Sequence, residues 1–347
     1  MKKIFLTILV VASMVSCSND DVVSIAPRKA ITFGNVFIEN STRAADFHTT
    51  DELDKFFVYG TVTGSLGSGN TVNLYEGATV TKSSGVWDCN VTQYWVPECH
   101  YNFVAISDVT ATVPVTDNTT VGAVVVKTDD NGMPTEIKYD ASSQKDLLYA
   151  KIQSPIDTDA NADPTSGTDN NGNVKFTFEH LLSKVMFTFT NGFSMESGVK
   201  LYITDIKITN AAKQAIYTCS STPSWKVSTN FTGADDDDCL SFGETVDINP
   251  TMTGKNSIDC LLIPETKKFE ISIKINHYLG GESTTRTLTT TQELTLLPGH
   301  FYNFTTELNS SNVEGIVPIE FNIKDDTTWE EEGPQKDINV NDDITSN

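Results

Sequence analysis

Arginine is almost missing from this chain: Arg28, Arg43 and Arg286 are the only three in 347 residues. A protease that requires arginine has three bonds at most to attack. Basic residues as a whole are scarce, with 24 Lys and Arg against 46 Asp and Glu, a formal charge of -22. Such a surface repels nucleic acid and anionic lipid before contact forms, which excludes both as direct partners. No apolar run approaches the roughly 20 residues that a helix needs to cross hydrocarbon. Long stretches rich in Leu, Glu, Lys and Ala are missing too, while Thr, Ser, Asn, Asp and Val abound, so the expected class is all-β. Patterns that carry chemistry are equally thin. His48, His100, His180, His277 and His300 lack metal-ligand spacing, and there is no Gly-x-Ser-x-Gly turn, His-Glu-x-x-His or phosphate-cradling glycine loop. The sequence names no catalytic residue, metal or cofactor, and an enzyme is not expected.

What is present begins with a processing signature. Lys2 and Lys3 precede an apolar run, Ile4 to Val15, that ends at Met14-Val15-Ser16-Cys17. This is the pattern of a lipoprotein signal peptide, residues 1–16, with Cys17 as the lipidated residue. Loss of the two lysines takes the charge to -24, 22 basic residues against 46 acidic ones. Each CH2 of an acyl chain buries about 0.8 kcal/mol, so several chains hold a protein stably at a membrane. The polar stretch Ser18-Asn19-Asp20-Asp21 resembles the signal that sends lipoproteins to the outer face of the outer membrane in some Gram-negative anaerobes. Beyond it lies an apolar patch, Ile31-Thr32-Phe33 and Val36-Phe37-Ile38, and then Ser41-Thr42-Arg43-Ala44, a step that a trypsin-like protease can cut. Lipidation of Cys17 leaves five cysteines. Cys89 with Cys99, and Cys219 with Cys239, are candidate bridges, while Cys260 is left over; none forms a paired Cys-x-x-Cys metal site.

Period-two segments bounded by Gly, Asp, Asn or Pro fill the rest: Phe57 to Val62, Tyr101 to Ile106, Ala123 to Val126 and Leu147 to Ala150 in the first half. Residues 157–173 contain almost nothing that can be buried and read as a linker or long excursion between two domains. After it, Phe176 and Phe178, then Val185, Phe187 and Phe189, share a strand face; Leu201 to Ile208, Ser257 to Ile263 and Phe269 to Ile275 continue the pattern. Gly280-Gly281 between two alternating runs predicts a hairpin. Glu179 to Ser183 is a candidate helical turn. The four aspartates Asp235 to Asp238 belong in water. Asp157, Asp159, Asn161 and Asp163 have the spacing of a calcium loop, but Ala162 and Thr168 stand where such a loop needs Gly and Glu. Trp87, Tyr94-Trp95-Val96-Pro97, Tyr101 and Phe103 fit either a flat platform for sugar rings or, with period two, the packing of a core.

Several segments in order resemble the fimbrillin-like proteins that build proteolytically matured pili of oral and gut Gram-negative anaerobes. They are Cys17 with its signal; Ile31-Thr32-Phe33 leading to Thr42-Arg43-Ala44; Tyr94-Trp95-Val96-Pro97; Asp146-Leu147-Leu148-Tyr149-Ala150; Phe176 to Val185; Leu261-Leu262-Ile263-Pro264; and Leu297-Pro298-Gly299-His300-Phe301-Tyr302-Asn303-Phe304, ending at Trp329. The resemblance implies two transthyretin-like β-sandwich domains in tandem, residues 44–165 and 166–329, preceded by a lipidated leader, 17–43, and followed by an acidic tail, 330–347. It implies that an arginine-specific surface protease cuts after Arg43 and leaves Ala44 as the new N-terminus. The leader would then take away a strand carrying Ile31, Phe33, Val36, Phe37 and Ile38, and a strand from another pilus subunit, identical or related, would replace it. Ile338, Val340 and Ile344 are the candidate donor residues. The implied role is a shaft or tip subunit of a fimbria that supports cell adhesion, first in the outer membrane and then on the cell surface. A glycan-binding lipoprotein that keeps its outer-membrane anchor is the alternative.

Overall fold

The computed structural model describes residues 28–39, 48–49, 53–64, 69–152, 154–227, 240–241, 246–248 and 254–326. Within them the chain is built from strands, with one four-residue α-helix, Ser310–Val313, capped by Asn309. Four sheets are formed. The first has nine strands, in the order His48–Thr49, Phe33–Glu39, Val174–His180, Leu148–Lys151, Cys99–Ile106, Lys55–Gly64, Thr71–Ser83 and Val86–Cys89, with Ile156–Asp157 alongside Cys99–Ile106. It is antiparallel throughout except that Phe33–Glu39 runs parallel to Val174–His180.

Two further sheets belong to the second half. Ser183–Asn191 lies between Phe301–Leu308, its parallel neighbour, and the short strands Lys255–Asn256 and Cys260–Leu262. Lys200–Ile208 pairs with Thr266–Leu279, which turns at Gly280-Gly281 into Glu282–Thr295, the hairpin expected from the sequence. Both glycines have positive φ, 61° and 92°, which suits the turn to residues without a Cβ. The fourth sheet joins the halves, because Gln214–Thr218 adds antiparallel to Pro134–Asp140, which pairs antiparallel with Val124–Thr128, itself the parallel neighbour of Ala111–Pro114.

Alternation explains where the cores sit. Val58, Phe103, Ala105, Leu148 and Ala150 point to one face of the first sheet, where they pack with Phe56, Tyr101, Phe176 and Phe178. Their neighbours Tyr59, Val104, Ile106 and Tyr149 point to the other face, into a second core shared with Val124, Ile137, Phe187, Ile275 and Phe304. Strands buried on both faces read as unbroken apolar runs, as Val104-Ala105-Ile106 does.

Three expectations need correction. The boundary placed at residue 165 does not coincide with a change of sheet, because Val174–His180 lies between Phe33–Glu39 and Leu148–Lys151 and buries Val174, Phe176 and Phe178 in the first core. Residues 157–173 are accordingly an excursion of that sheet. Two aspartates organise it: the Asp159 carboxylate accepts N–H groups of Asn161 and Asp163 at 2.8 and 2.9 Å, and Asp169 accepts those of Asn171 and Asn173 at 2.8 and 3.0 Å. Glu179 to Ser183 forms no helical turn, since His180 ends one strand and Ser183 starts the next.

Candidate functional site

The apolar patch of residues 31–38 packs across the first core. At its start Lys29 O accepts the Trp95 N–H at 3.0 Å, and Ile31 N donates to Gln93 O at 2.8 Å, around an antiparallel bridge between Ala30 and Tyr94. One residue on, Thr32 O accepts from Val174 N at 2.8 Å, and the chain continues as the strand Phe33–Glu39 beside Val174–His180. Its register slips between Gly34 and Phe37. A slip of this kind is a bulge, and it re-aims side chains that strict alternation would turn away. Ile31, Phe33 and Val36 are buried, and Phe37 and Ile38 half-buried. On the far side the strand pairs only at Phe37 and Ile38, with His48–Thr49, among the described residues.

Phe33 is the centre of this insertion. Its ring stacks on Phe176 at 5.9 Å and meets Tyr75, Phe103 and Phe56 edge-on at 5.7, 6.2 and 6.4 Å. Offset and T-shaped pairs at these separations each contribute about 0.5 to 1.5 kcal/mol beyond the burial of their area. Burial also pushes up the Tyr75 hydroxyl, which keeps it neutral inside the cluster. Polar contacts flank the rings. Thr32 Oγ1 donates to Asn173 Oδ1 at 2.6 Å, and Lys29 Nζ reaches Asp163 Oδ1 at 3.4 Å.

The other residues singled out in the sequence fall in three groups. Cys17, Arg43, Ala44, Cys239, Asp235 to Asp238, Ile338, Val340 and Ile344 lie outside the described residues. Arg28 is exposed ahead of the leader strand, whereas Arg286 sits within the hairpin opposite Ile275, with Nη1 donating to Glu314 O. The aromatic segment is largely internal: Trp95, Tyr101 and Phe103 are at most 1 % exposed, so they pack the core and do not make a sugar platform. Trp87 packs on Phe56, and Tyr94 alone of these rings is exposed.

His180 binds Asp146 at 2.9 Å and His100 binds Asp157 at 2.5 Å, each joining segments of the first sheet. Among the described residues Cys89 and Cys219 are free thiols, so Cys89 does not bridge to Cys99, which turns Sγ toward Pro97 O at 3.3 Å. Sequence reasoning read Asp163 only as a position of a calcium-like loop and missed Gly172 and Asn173, although all three face Lys29 or Thr32. Their signal was the repeated spacing of Asp159 to Asp163 and Asp169 to Asn173, which marks two side-chain-braced turns.

No functionally curated protein matches the chain. The structure is similar to the crystal structure of a fimbrial protein from Bacteroides vulgatus, with a TM-score of 0.57 and 14% identity over 85% of this chain and 99% of that one. The fimbrial anchor protein Mfa2 from Porphyromonas gingivalis is matched at a TM-score of 0.38 and 10% identity, over 86% of this chain and 97% of that one. Residues 42–325 match the sequence model of the fimbrillin-like proteins, and the chain belongs to that family.

Proposed function

We propose that this chain is a structural subunit, shaft or tip, of a surface fimbria. It is exported as a lipoprotein on Cys17, cut after Arg43 by an arginine-specific surface protease, and polymerised by donor-strand exchange. It has no catalytic role; its partners are other pilus subunits, and the filament supports adhesion. The observation that supports this reading is the placement of Ile31, Phe33 and Val36. They are core residues of the first sheet, yet they precede the Arg43-Ala44 bond and enter from the sheet's edge.

The energetics favour exchange over simple loss. Three buried apolar side chains at roughly 1.5 to 3 kcal/mol each represent several kcal/mol, comparable with the whole stability of many domains, about 5 to 15 kcal/mol. A subunit that lost them without replacement would carry an open core and a bare edge on Val174–His180. After a cut at Arg43 the leader is a peptide held by these same contacts, and an incoming strand that offers both side chains and main-chain hydrogen bonds displaces it. The contact is head-to-tail, so it does not close on itself and a filament grows.

The test is to treat the full chain, with Cys17 replaced by Ser, with an arginine-specific protease. The new N-terminus is then read and the product run unboiled on a denaturing gel. The expected result is a start at Ala44 and a ladder that collapses on heating. An uncut chain, or a start at Ala44 that stays monomeric even with related subunits present, overturns the reading.

A further inference from the structure

The groove that holds the leader has an order of subsites as well as an apolar floor. Lys29 runs past Gly172, where an added Cβ would come within 2.6 Å of Nζ and 2.9 Å of Cε, and its ammonium faces Asp163. Gly172 therefore leaves a lane for a lysine stem. Next comes the pocket of Ile31, then Asn173 Oδ1, which accepts from Thr32, then the ring cluster around Phe33. The groove reads, in sequence, a lysine, a free position, an apolar residue, a hydrogen-bond donor and a second apolar residue.

The acidic tail repeats this order. Lys336-Asp337-Ile338-Asn339-Val340 matches Lys29-Ala30-Ile31-Thr32-Phe33 position by position. Resting on the strand-exchange reading above, we propose that Lys336–Val340 of a second copy takes the places of Lys29–Phe33. Lys336 then lies beside Asp163, Asn339 donates its amide to Asn173, and the strand runs parallel to Val174–His180. The nine residues between Asp326, the end of the last described strand, and Lys336 span roughly 30 Å when extended, enough to leave one subunit and enter another.

The charges at Lys336 and Asp342 fix the register together with the apolar floor. A slip of one residue turns every side chain to the wrong face and is excluded by the apolar floor. A slip of two keeps the faces and has to be excluded by chemistry. In one direction it drives Lys336 into the Ile31 pocket, where the native side chain is 3 % exposed; in the other it puts Asp342 where Phe33 is 4 % exposed. Both bury a charge without a partner. The correspondence ends at Asn341, because Asp343 falls where Val36 is buried, and the lower groove is left underfilled.

The experiment mixes two protease-cut full chains, one carrying Asn173→Cys and the other Asn339→Cys, under mild oxidation. A Thr32→Cys/Asn173→Cys precursor, expected to lock its own leader, verifies that position 173 can be bridged. An intermolecular disulfide between 173 and 339 is expected, and Asp343→Val is expected to raise the temperature at which the ladder collapses. Lys336→Glu is expected to slow ladder formation about two- to five-fold, the size of an exposed ion pair, with recovery when the accepting copy carries Asp163→Lys. Bridging instead from Asp337→Cys or Asn341→Cys refutes the register while leaving strand exchange standing. A bridge within one copy at high dilution refutes the second copy as occupant. Absence of any ladder from the unmodified chain removes the reading and the inference together.

Discussion

At the residue scale the leader strand is judged by Phe33. Its ring touches four others in the first core, and truncation of a buried Phe costs about 3 to 5 kcal/mol. Phe33→Ala is therefore expected to lower the melting temperature of the uncut chain by roughly 6 to 20 °C, at about 2 to 4 °C per kcal/mol for a domain of 150 to 250 residues. After cutting and exchange the variant and the parent are the same polypeptide, so their filaments should melt alike. Calorimetry before and after cutting checks both halves, and a difference that persists in the filament shows that the leader never left. Cys219 makes a second test. Burial pushes its thiol up to about 12, so at pH 8 almost no thiolate is present in the folded chain, and iodoacetamide should label it only after denaturation. Peptide mapping by mass reads the result. Ile31 and Phe33 were legible as a buried pair because they alternate. Asp163 and Asn173 were not, because their role is to face a segment some 140 residues away along the chain and no local pattern encodes that meeting.

At the scale of the element, legibility followed regularity. The hairpin of Thr266–Leu279 and Glu282–Thr295 keeps its pairing over fourteen positions, and its turn glycines announce it. Thr71–Ser83 is nearly as long, yet it is not among the segments read as strands from period two, which Glu76-Gly77 interrupts. Its pairing with Lys55–Gly64 slips twice, between Val58 and Tyr59 and between Gly60 and Thr61, and each slip resets which parity faces the core. Gly77 stands in this irregular stretch with φ 76°, and an added Cβ would meet Thr112 Oγ1 at 2.8 Å. The Thr112 and Tyr59 hydroxyls are also hydrogen-bonded to each other at 2.8 Å, so the neighbour that would have to move is already held. Gly77→Ala is expected to destabilise the chain by more than about 1 kcal/mol, through backbone strain and the clash together. Urea unfolding monitored by tryptophan fluorescence measures it, and an unchanged midpoint would show that the bend is not required.

At the scale of the whole molecule the all-β class followed from composition, whereas the way the halves join did not. Gln214–Thr218 pairs with Pro134–Asp140 across more than seventy residues, and the core behind that sheet draws on both halves. Contacts so distant in sequence leave no local periodicity to read. Charge is the whole-molecule property that composition does determine. A chain starting at Ala44 keeps 19 basic and 43 acidic residues, so each copy carries -24 and meets the next against strong repulsion. The attraction between Lys336 and Asp163 that the register calls for is exposed and short-ranged, and it contributes little until contact is made. The approach is governed by net charge, which salt screens over about 10 Å at 0.1 M and about 30 Å at 0.01 M. Ladder formation from cut chains should therefore accelerate as NaCl rises from about 10 to 300 mM, although salt weakens the individual ion pair. Densitometry of unboiled gels over time gives the rates. A rate that falls with salt would mean that local pairs, rather than net charge, control encounter, and that the tail meets the groove through its lysine first.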